Sequence, residues 1–244
     1  MDLIEKILYG NRHPWELSRT QCILDIVKKY PLRTIVDIGA GDCFFISKLQ
    51  DSASGDLYAI DTGYTEKPKV IDGVHCFNSI SELPQLVDTA MLMDVLEHVY
   101  NDNVFLKEIL AQLSADALVI ITVPAFQLLF SNHDVFLKHH RRYNRKQLIN
   151  LLYSNNLIIE KCHYFYTSLF FVRLLSLPLL RRKPAVHQFG IGNWRFNEKH
   201  ILTQAIRIIL NIDFRICIFF AQFRIYLPGL SLLAICRKRG DPIV

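Results

Sequence analysis

Five carboxylates in the first half of the chain stand at or near the points where apolar runs end. They are Asp37, Asp42, Asp61, Asp94 and Glu97. Because the carboxyl ends of parallel strands meet at one edge of a sheet, these side chains are expected to lie close together. A cluster of negative charge repels phosphate groups and favours a ligand that carries positive charge.

The glycines of the stretch VDIGAGDCFF, residues 36–45, do not complete a dinucleotide fingerprint. That fingerprint has glycine at its first, third and sixth positions. Here Gly39 and Gly41 supply the first two, but Phe44 stands at the sixth, and a GxxxxGK phosphate loop is absent. The loop therefore favours a cationic nucleoside over a pyrophosphate. S-adenosylmethionine (SAM), which carries a sulfonium and an ammonium group, is such a ligand.

The elements around these residues alternate in the manner of a parallel sheet covered on both faces. Strands are predicted at about 33–38, 56–60, 73–77, 88–93 and 117–123, with helices at about 17–30, 43–51, 79–86 and 101–114. A further helix and strand follow Pro124, and a last strand is predicted within 226–238. The sequence thus predicts an α/β, Rossmann-like, mostly parallel sheet of seven strands.

With these motifs in place, the sequence resembles the class I SAM-dependent methyltransferases. The resemblance rests on VDIGAGDCF, on YAID ending at Asp61, and on LMDVLEHV at 92–99. It covers residues 33–165 and resumes at 226–238. The chain departs from the DxGxGxG pattern of the family at Cys43, which replaces the third glycine.

The resemblance implies roles for individual residues. Asp37, Gly39 and Gly41 would shape the pocket for methionine and sugar. Asp61 would bind the ribose hydroxyls, and Asn78 would lie near the adenine. The full set of implied cofactor-binding residues is Asp37, Gly39, Ala40, Gly41, Asp42, Asp61, Thr62, Asn78, Met93 and Asp94. No metal is expected.

Two further segments resemble one subgroup of these enzymes. In that subgroup a stretch like HPWELSR, residues 13–19, contributes to a lid over the cofactor; the alternative is a helix start anchored by Trp15. The loop 131–148 contains an H-x-R-Y-type stretch, matched by His140, Arg142 and Tyr143. A histidine there could accept a proton and an arginine could hold an acidic acceptor. The alternative for this loop is a solvated basic segment. His98 is a further candidate base or, equally, a residue that lines the pocket.

The charges divide the chain into an acidic front and a basic, apolar back. Residues 1–137 carry 10 Lys and Arg against 19 Asp and Glu, whereas residues 138–244 carry 18 against 4. The predicted organisation is a helical lid segment at 1–32, a SAM-binding domain at 33–166 and 226–240, and a helical insertion at 167–225. The insertion is rich in Phe, Leu and Ile, which favours contact with an anionic membrane surface or, alternatively, a lid or dimer face.

The scattered cysteines, without a CxxC pair, argue against a zinc site or a disulfide framework and fit a reducing cytoplasm. Neither a signal peptide nor a spanning helix is expected, which predicts a cytoplasmic protein at the inner face of a membrane. We expect O-methylation of a lipophilic or lipid-linked small molecule. The alternatives are a methyltransferase of a soluble metabolite, a nucleic-acid-binding protein, which the apolar back disfavours, and a non-catalytic membrane-associated binder. The oligomeric state is left open.

Overall fold

The computed structural model describes residues 11–64, 69–182 and 194–240, and a single sheet forms its centre. Within that part of the chain the sheet has eight strands in the order β3-β4-β2-β1-β5-β6-β8-β7. The strands are β1 (Ile35–Ile38), β2 (Leu57–Ile60), β3 (Lys69–Ile71), β4 (Val74–Phe77), β5 (Val87–Met93), β6 (Leu113–Pro124), β7 (Leu157–Phe165) and β8 (Ser231–Lys238).

The centre of the sheet is parallel and its two edges contain antiparallel pairs. Strand β1 pairs in parallel with β2 and β5, and β5 pairs in parallel with β6. All four residues of β1 are buried, as expected for a strand covered on both faces. Strand β8 runs antiparallel to both β6 and β7. The predicted Rossmann-like α/β class is confirmed.

Seven α-helices accompany the described strands. They are α1 (Pro14–Val27), α2 (Phe44–Ser47), α3 (Asp102–Ala111), α4 (Asn132–Phe136), α5 (Arg145–Ser154), α6 (Thr167–Arg182) and α7 (Ile201–Gln222). Helices α6 and α7 lie between β7 and β8 in the chain, which agrees with a largely helical insertion between the last two strands. No helix in the described ranges combines the length and the apolarity needed to cross a membrane.

Two details of the predicted fold are wrong. The sheet has an eighth strand, β3, which forms a hairpin with β4 through Asp72 and Gly73; both have positive φ, 48° and 77°, as a two-residue hairpin turn requires. The strand was not predicted because its three residues are exposed and show no apolar run. The predicted helix at 79–86 is only a three-residue 3-10 turn, Ile80–Glu82. Pro84 stands where the next turn would need a backbone N–H.

The core lies in two layers, one on each face of the sheet. On one face the buried side chains of α3 and α5 pack on the strands. On the other face α7 packs against β7, and α1 packs against α7. Phe214 of α7 contacts Phe165 at a ring-centroid distance of 5.2 Å, and both side chains are almost completely buried. This layer brings α1 over the carboxyl end of β1.

Candidate functional site

The glycine loop after β1 requires backbone conformations that glycine adopts without strain. Gly39 has φ +70°, and a Cβ atom placed there would lie 2.8 Å from Cγ2 of Val95. The Gly39 N–H donates to the carbonyl of Ile60 at 2.7 Å, which fixes the loop against the end of β2. Gly41 also has positive φ, 55°. The loop is therefore a tight turn that exposes backbone to the space above β1.

Asp61 holds this loop in place. Its two carboxylate oxygens accept hydrogen bonds from the N–H groups of Gly41 at 2.9 Å and Gly63 at 2.8 Å. The contact joins the end of β2 to the turn after β1. Since a carboxylate has about four acceptor positions, Asp61 can still accept from a ligand hydroxyl.

Cys43, which replaces the third glycine of the pattern, adopts the left-handed conformation with φ 61°. Its side chain is buried, with the sulfur 3.0 Å from the Tyr64 hydroxyl oxygen and 3.7 Å from the sulfur of Cys76. The left-handed backbone accounts for the family's preference for glycine at this position. The cysteine packs into the core and does not line the cavity described next.

Helix α1 covers the loop and encloses a cavity of about 40 Å³. The lining residues are Glu16, Arg19, Thr20 and Ile23 of α1, Asp37, Gly39, Ala40 and Asp42 of β1 and its loop, Phe44 and Phe45 of α2, and Met93 of β5. Five of the predicted cofactor-binding residues thus line it: Asp37, Gly39, Ala40, Asp42 and Met93. The other five, Gly41, Asp61, Thr62, Asn78 and Asp94, lie outside the lining.

Two arginines of the N-terminal segment pair with the acidic residues of this region. Arg19 forms an ion pair with Asp94, whose other oxygen accepts from the Thr122 hydroxyl at 2.9 Å. Arg12 forms ion pairs with Asp42 and with Glu16. The acidic cluster predicted from the sequence is therefore partly neutralised by the chain's own cations.

Asp37 is the most buried carboxylate of the cavity, with 2% of its surface exposed. Burial raises the pKa of Asp37 to about 7, and the charge of Asp61 contributes in the same direction, while Arg19 opposes the shift. A cationic ligand group placed beside Asp37 would favour its ionised form. The side chain is thus suited to a ligand with positive charge.

A second group of polar side chains lies beyond β5, in the 3-10 turn Leu96–His98. Glu97 has no exposed surface, and no other described residue donates a hydrogen bond to either of its carboxylate oxygens. Burial raises the pKa of Glu97 to about 8, although the charges of Arg19 and Arg142 oppose the shift. His139 lies nearby, with its Nε2 atom 4.0 Å from Oε1 of Glu97.

Asp134 organises the other side of this group. It accepts from Nε of Arg142 at 2.7 Å and from Nη2 of Arg173 at 3.0 Å, and its Oδ1 lies 3.2 Å from Nδ1 of His139. Burial alone would raise the pKa of Asp134, but the contacts with His139 and Arg142 hold it well below its usual range. The carboxylate therefore fixes an imidazole and two guanidinium groups.

The four predicted catalytic residues differ in their burial and in their partners. Arg142 is buried and ion-paired to Asp134, and the Tyr143 hydroxyl donates to Asp102 at 2.7 Å within the core. His98 and His140 are exposed. The His98 ring contacts that of His139, with centroids 4.6 Å apart, and His140 lies edge-on to Tyr100. The two histidines are thus the members of the set with rings accessible to an acceptor.

Sequence reasoning did not assign site roles to Arg12, Arg19 or His139. Arg19 lies four residues after Trp15 on α1, and its guanidinium is 4.7 Å from that ring. This spacing places both side chains on one helix face, which is a local signal. The pairing of Arg19 with Asp94 spans 75 positions and has no local signal.

Solved structures of SAM-dependent methyltransferases share the fold of this chain. No family model and no curated protein matches the chain. A SAM-dependent methyltransferase from Archaeoglobus fulgidus superimposes with a TM-score of 0.52 at 16% identity, covering 92% of this chain and 94% of that chain.

Two further solved structures share the fold. The plantazolicin methyltransferase BpumL, solved with a substrate analog and SAH, gives a TM-score of 0.51 at 16% identity, with 93% of this chain and 85% of that chain covered. The cyclase SpnF gives 0.52 at 14% identity, with 92% and 81% covered. Since a cyclase is among these structures, the fold alone does not determine the reaction.

Proposed function

We propose that the protein is a SAM-dependent methyltransferase. The observation that carries the proposal is the cavity above β1, where a glycine turn and buried acidic side chains meet under α1. This site offers carboxylates to a cationic nucleoside and no phosphate cradle. The fold shared with SAM-dependent methyltransferases supports the same cofactor.

The residues of the cavity fit the chemical groups of SAM. Asp37 would face the positively charged methionine portion, and Asp61 would accept from the ribose hydroxyls. Arg19, a cation among these acids, would exchange its contact with Asp94 for the methionine carboxylate. The enclosed volume of about 40 Å³ lies far below the roughly 300–1,000 Å³ of ligand pockets. We therefore propose that SAM binding moves α1, together with Arg12 and Arg19, away from the loop.

When bound, SAM supplies an electrophilic methyl group on a positively charged sulfur. That methyl group would pass in line to an acceptor hydroxyl, with the C–O bond forming as the S–CH3 bond breaks and sulfur keeping the electron pair. The protein's contribution is to align the two reactants and to exclude water. As bases for the hydroxyl proton we propose His98 and His140, because both imidazoles beyond β5 are exposed.

We further propose that the acceptor is lipophilic and that α7 faces a membrane surface. The apolar residues of α7 point outward at helical spacing; Ile208, Ile212, Ile216, Phe219 and Phe223 are each 45–62% exposed. The polar Asn211 instead faces inward, where its Oδ1 accepts from the Ser18 hydroxyl of α1 at 2.6 Å. The buried face of α7 is also largely apolar, with Leu210, Phe214 and Cys217 in the core. A helix that is apolar on its outer face as well favours an apolar environment outside the protein.

The basic residues near these helices favour an anionic surface. Arg215 and Arg224 are exposed on or directly after α7. Arg181 and Arg182 end α6, although their side chains and Lys183 lie outside the described residues. Cations near an anionic leaflet contribute about 1 kcal/mol each to attachment. The combination supports reversible docking.

The test of the reaction is transfer of a labelled methyl group from SAM to an extract of cell lipids and, in parallel, to an extract of soluble metabolites. O-methylation of a lipophilic acceptor predicts a labelled product in the lipid extract with a mass increase of one methyl group, stable to conditions that cleave methyl esters. Label only in the soluble extract would favour a soluble acceptor, with α6 and α7 as a lid or dimer face. Label in neither extract would contradict the proposed reaction.

A further inference from the structure

One carboxylate and two imidazoles converge beyond the end of β5. Glu97, His98 and His139 each offer one potential ligand atom, and these three atoms all lie within 4.8 Å of one another. The three residues come from two segments, the turn after β5 and the loop after α4. We propose that Glu97, His98 and His139 form a binding site for one divalent transition-metal ion, with Zn²⁺ as the first candidate.

The state of Glu97 supports a cation at this point. A buried carboxylate is normally paired or accepts several hydrogen bonds, because removal of its charge from water is costly. Glu97 is completely buried, yet no other described residue donates to either oxygen. Asp134, a buried carboxylate in the same region, has contacts from two arginines and a histidine. A metal ion would give the Glu97 oxygens a positive partner at bonding distance.

The orientation of His139 provides independent support. Histidines that bind metals commonly use one ring nitrogen for the metal and the other for a carboxylate, which fixes the ring. His139 has this arrangement: Nδ1 lies 3.2 Å from Oδ1 of Asp134, and Nε2 lies 4.0 Å from Oε1 of Glu97. Asp134 is itself fixed by Arg142 and Arg173. The ring is therefore held with Nε2 toward the proposed ion.

The donor set indicates the class of metal. Two imidazole nitrogens and one carboxylate oxygen form a set used by Zn²⁺ and by non-haem iron, and it leaves at least one coordination position open. With bonds of about 2.0–2.2 Å, neighbouring ligand atoms of a tetrahedral Zn²⁺ site lie roughly 3.4 Å apart. The three side chains would therefore close toward the ion by small rotations. The exposed ring of His98 can make such a movement.

The proposed site lies just beyond the acidic end of β5, close in sequence to Asp94. Glu97 follows Asp94 by three residues. Arg19 forms an ion pair with Asp94, and its charge opposes the rise in the pKa of Glu97. If the proposed methyl transfer holds, on which this step rests, an acceptor hydroxyl could complete the coordination. The cation would then lower the pKa of the hydroxyl and hold its oxygen in place for attack on the methyl carbon. With His98 bound to the ion, His140 would be the base that takes the proton. The metal site itself does not depend on that reaction.

The test uses the full chain, freed of metal with a chelator and titrated with Zn²⁺ by calorimetry and with Co²⁺ by visible absorption. We expect one equivalent of either ion to bind and the Co²⁺ spectrum to show nitrogen and oxygen ligands without thiolate. His98→Gln and His139→Gln should weaken binding by more than about 100-fold. Asp134→Asn should weaken it by about 10–100-fold, the usual effect of an outer partner.

The matched control is His140→Gln, because His140 neighbours the site in sequence but is not among its three ligands. This variant should bind Zn²⁺ as the natural chain does. His98 is exposed, so its substitution tests the site even if His139→Gln or Asp134→Asn does not fold, which circular dichroism would show. Absence of stoichiometric binding, or equal affinity in the natural chain and His98→Gln, would overturn the proposal. Since the readout is metal binding, failure of SAM binding in a separate titration would leave this result unaffected.

Discussion

At the scale of single residues, the buried carboxylate of Asp37 links the candidate site to the stability of the fold. Asp37 lies in the central strand β1, where it is surrounded by apolar side chains and by the glycine turn. Its pKa of about 7 in the folded protein compares with about 3.9 in an unfolded chain. The folded protein therefore binds a proton at Asp37 that the unfolded chain has already released.

This difference predicts the effect of Asp37→Asn on stability. Between about pH 4 and pH 7 the folded state holds more protons than the unfolded state, so the contribution of Asp37 to stability falls as the pH rises and is constant above that window. Asparagine does not titrate, so the variant does not lose stability in this way as the pH rises. Urea unfolding should show that Asp37→Asn gains about 1–3 kcal/mol relative to the natural chain between pH 4.5 and pH 8. A stability difference that does not change with pH would contradict the assigned burial of the charge.

At the scale of elements, helix α1 is the part that closes the cavity, and its first turn depends on a neutral histidine. His13 is the N-cap residue, and its ring accepts from the N–H of Trp15 at 3.2 Å through Nδ1. Burial lowers the pKa of His13 to about 4, while Glu16 opposes the shift. A protonated ring cannot accept this hydrogen bond, so the cap exists only in the neutral form.

The start of α1 should therefore respond to acid. Because the folded pKa is lower than the unfolded value of about 6.5, the contribution of His13 is complete above pH 6.5 and is lost as the pH falls toward 4. Amide hydrogen exchange in the first turn of α1 should accelerate over this range. His13→Asn, which keeps a good N-cap without a titrating ring, should abolish the acceleration, and its cap is worth about 1–2 kcal/mol. Equal pH dependence in the two proteins would show that His13 does not control the helix start.

The elements differ in how far the sequence predicts them. The strands β1, β2, β5 and β6 were predicted because each has a continuous apolar run, which is what burial on both faces demands. The predicted helix at 79–86 was wrong, because Pro84 ends the helical turn that the neighbouring residues favour. Strand β3 has no apolar pattern, and only the Asp-Gly pair at 72–73 signals its hairpin.

The site shows the same division. Gly39, Gly41 and Asp61 were predicted because the turn and the strand ends lie within short stretches of sequence. The pairing of Arg19 with Asp94 and the meeting of Glu97 with His139 depend on how distant segments pack. Such contacts leave no pattern within a short stretch of sequence. The scattered cysteines gave no indication of the proposed metal site, because its ligands are two histidines and a carboxylate.

At the scale of the whole molecule, the acidic front and the basic, apolar back suggest that the two halves meet different partners. The front contains the cavity, and the back contains α6 and α7. On α7 the outward residues are isoleucine and phenylalanine, with Arg215 and Arg224 beside them. This surface is the part of the protein that we propose docks on a membrane.

Docking predicts a defined response to lipid and salt. The full chain should sediment with vesicles that contain anionic lipid, less well with neutral vesicles, and less well as salt increases, because salt screens the arginines while apolar contacts persist. The double variant Ile212→Glu and Ile216→Glu should reduce sedimentation by about tenfold or more. Val104→Glu, which changes an exposed apolar residue of α3, is the matched control and should have no effect. Equal recovery of the natural chain in the supernatant with and without vesicles would exclude docking.

Titration calorimetry of the full chain is the most direct test of whether the cavity above β1 binds SAM. The natural chain should bind SAM or its demethylated product and should not bind NAD. Asp61→Ala should weaken binding by about 1.5–3 kcal/mol, or about 10–150-fold, because it removes an acceptor for the ribose and the support of Gly41. Asp51→Ala, which removes an exposed carboxylate, should bind as the natural chain does. Failure of the natural chain to bind either nucleoside would contradict SAM binding in this cavity. Undiminished affinity in Asp61→Ala would contradict the role of Asp61 in holding the ribose and the loop.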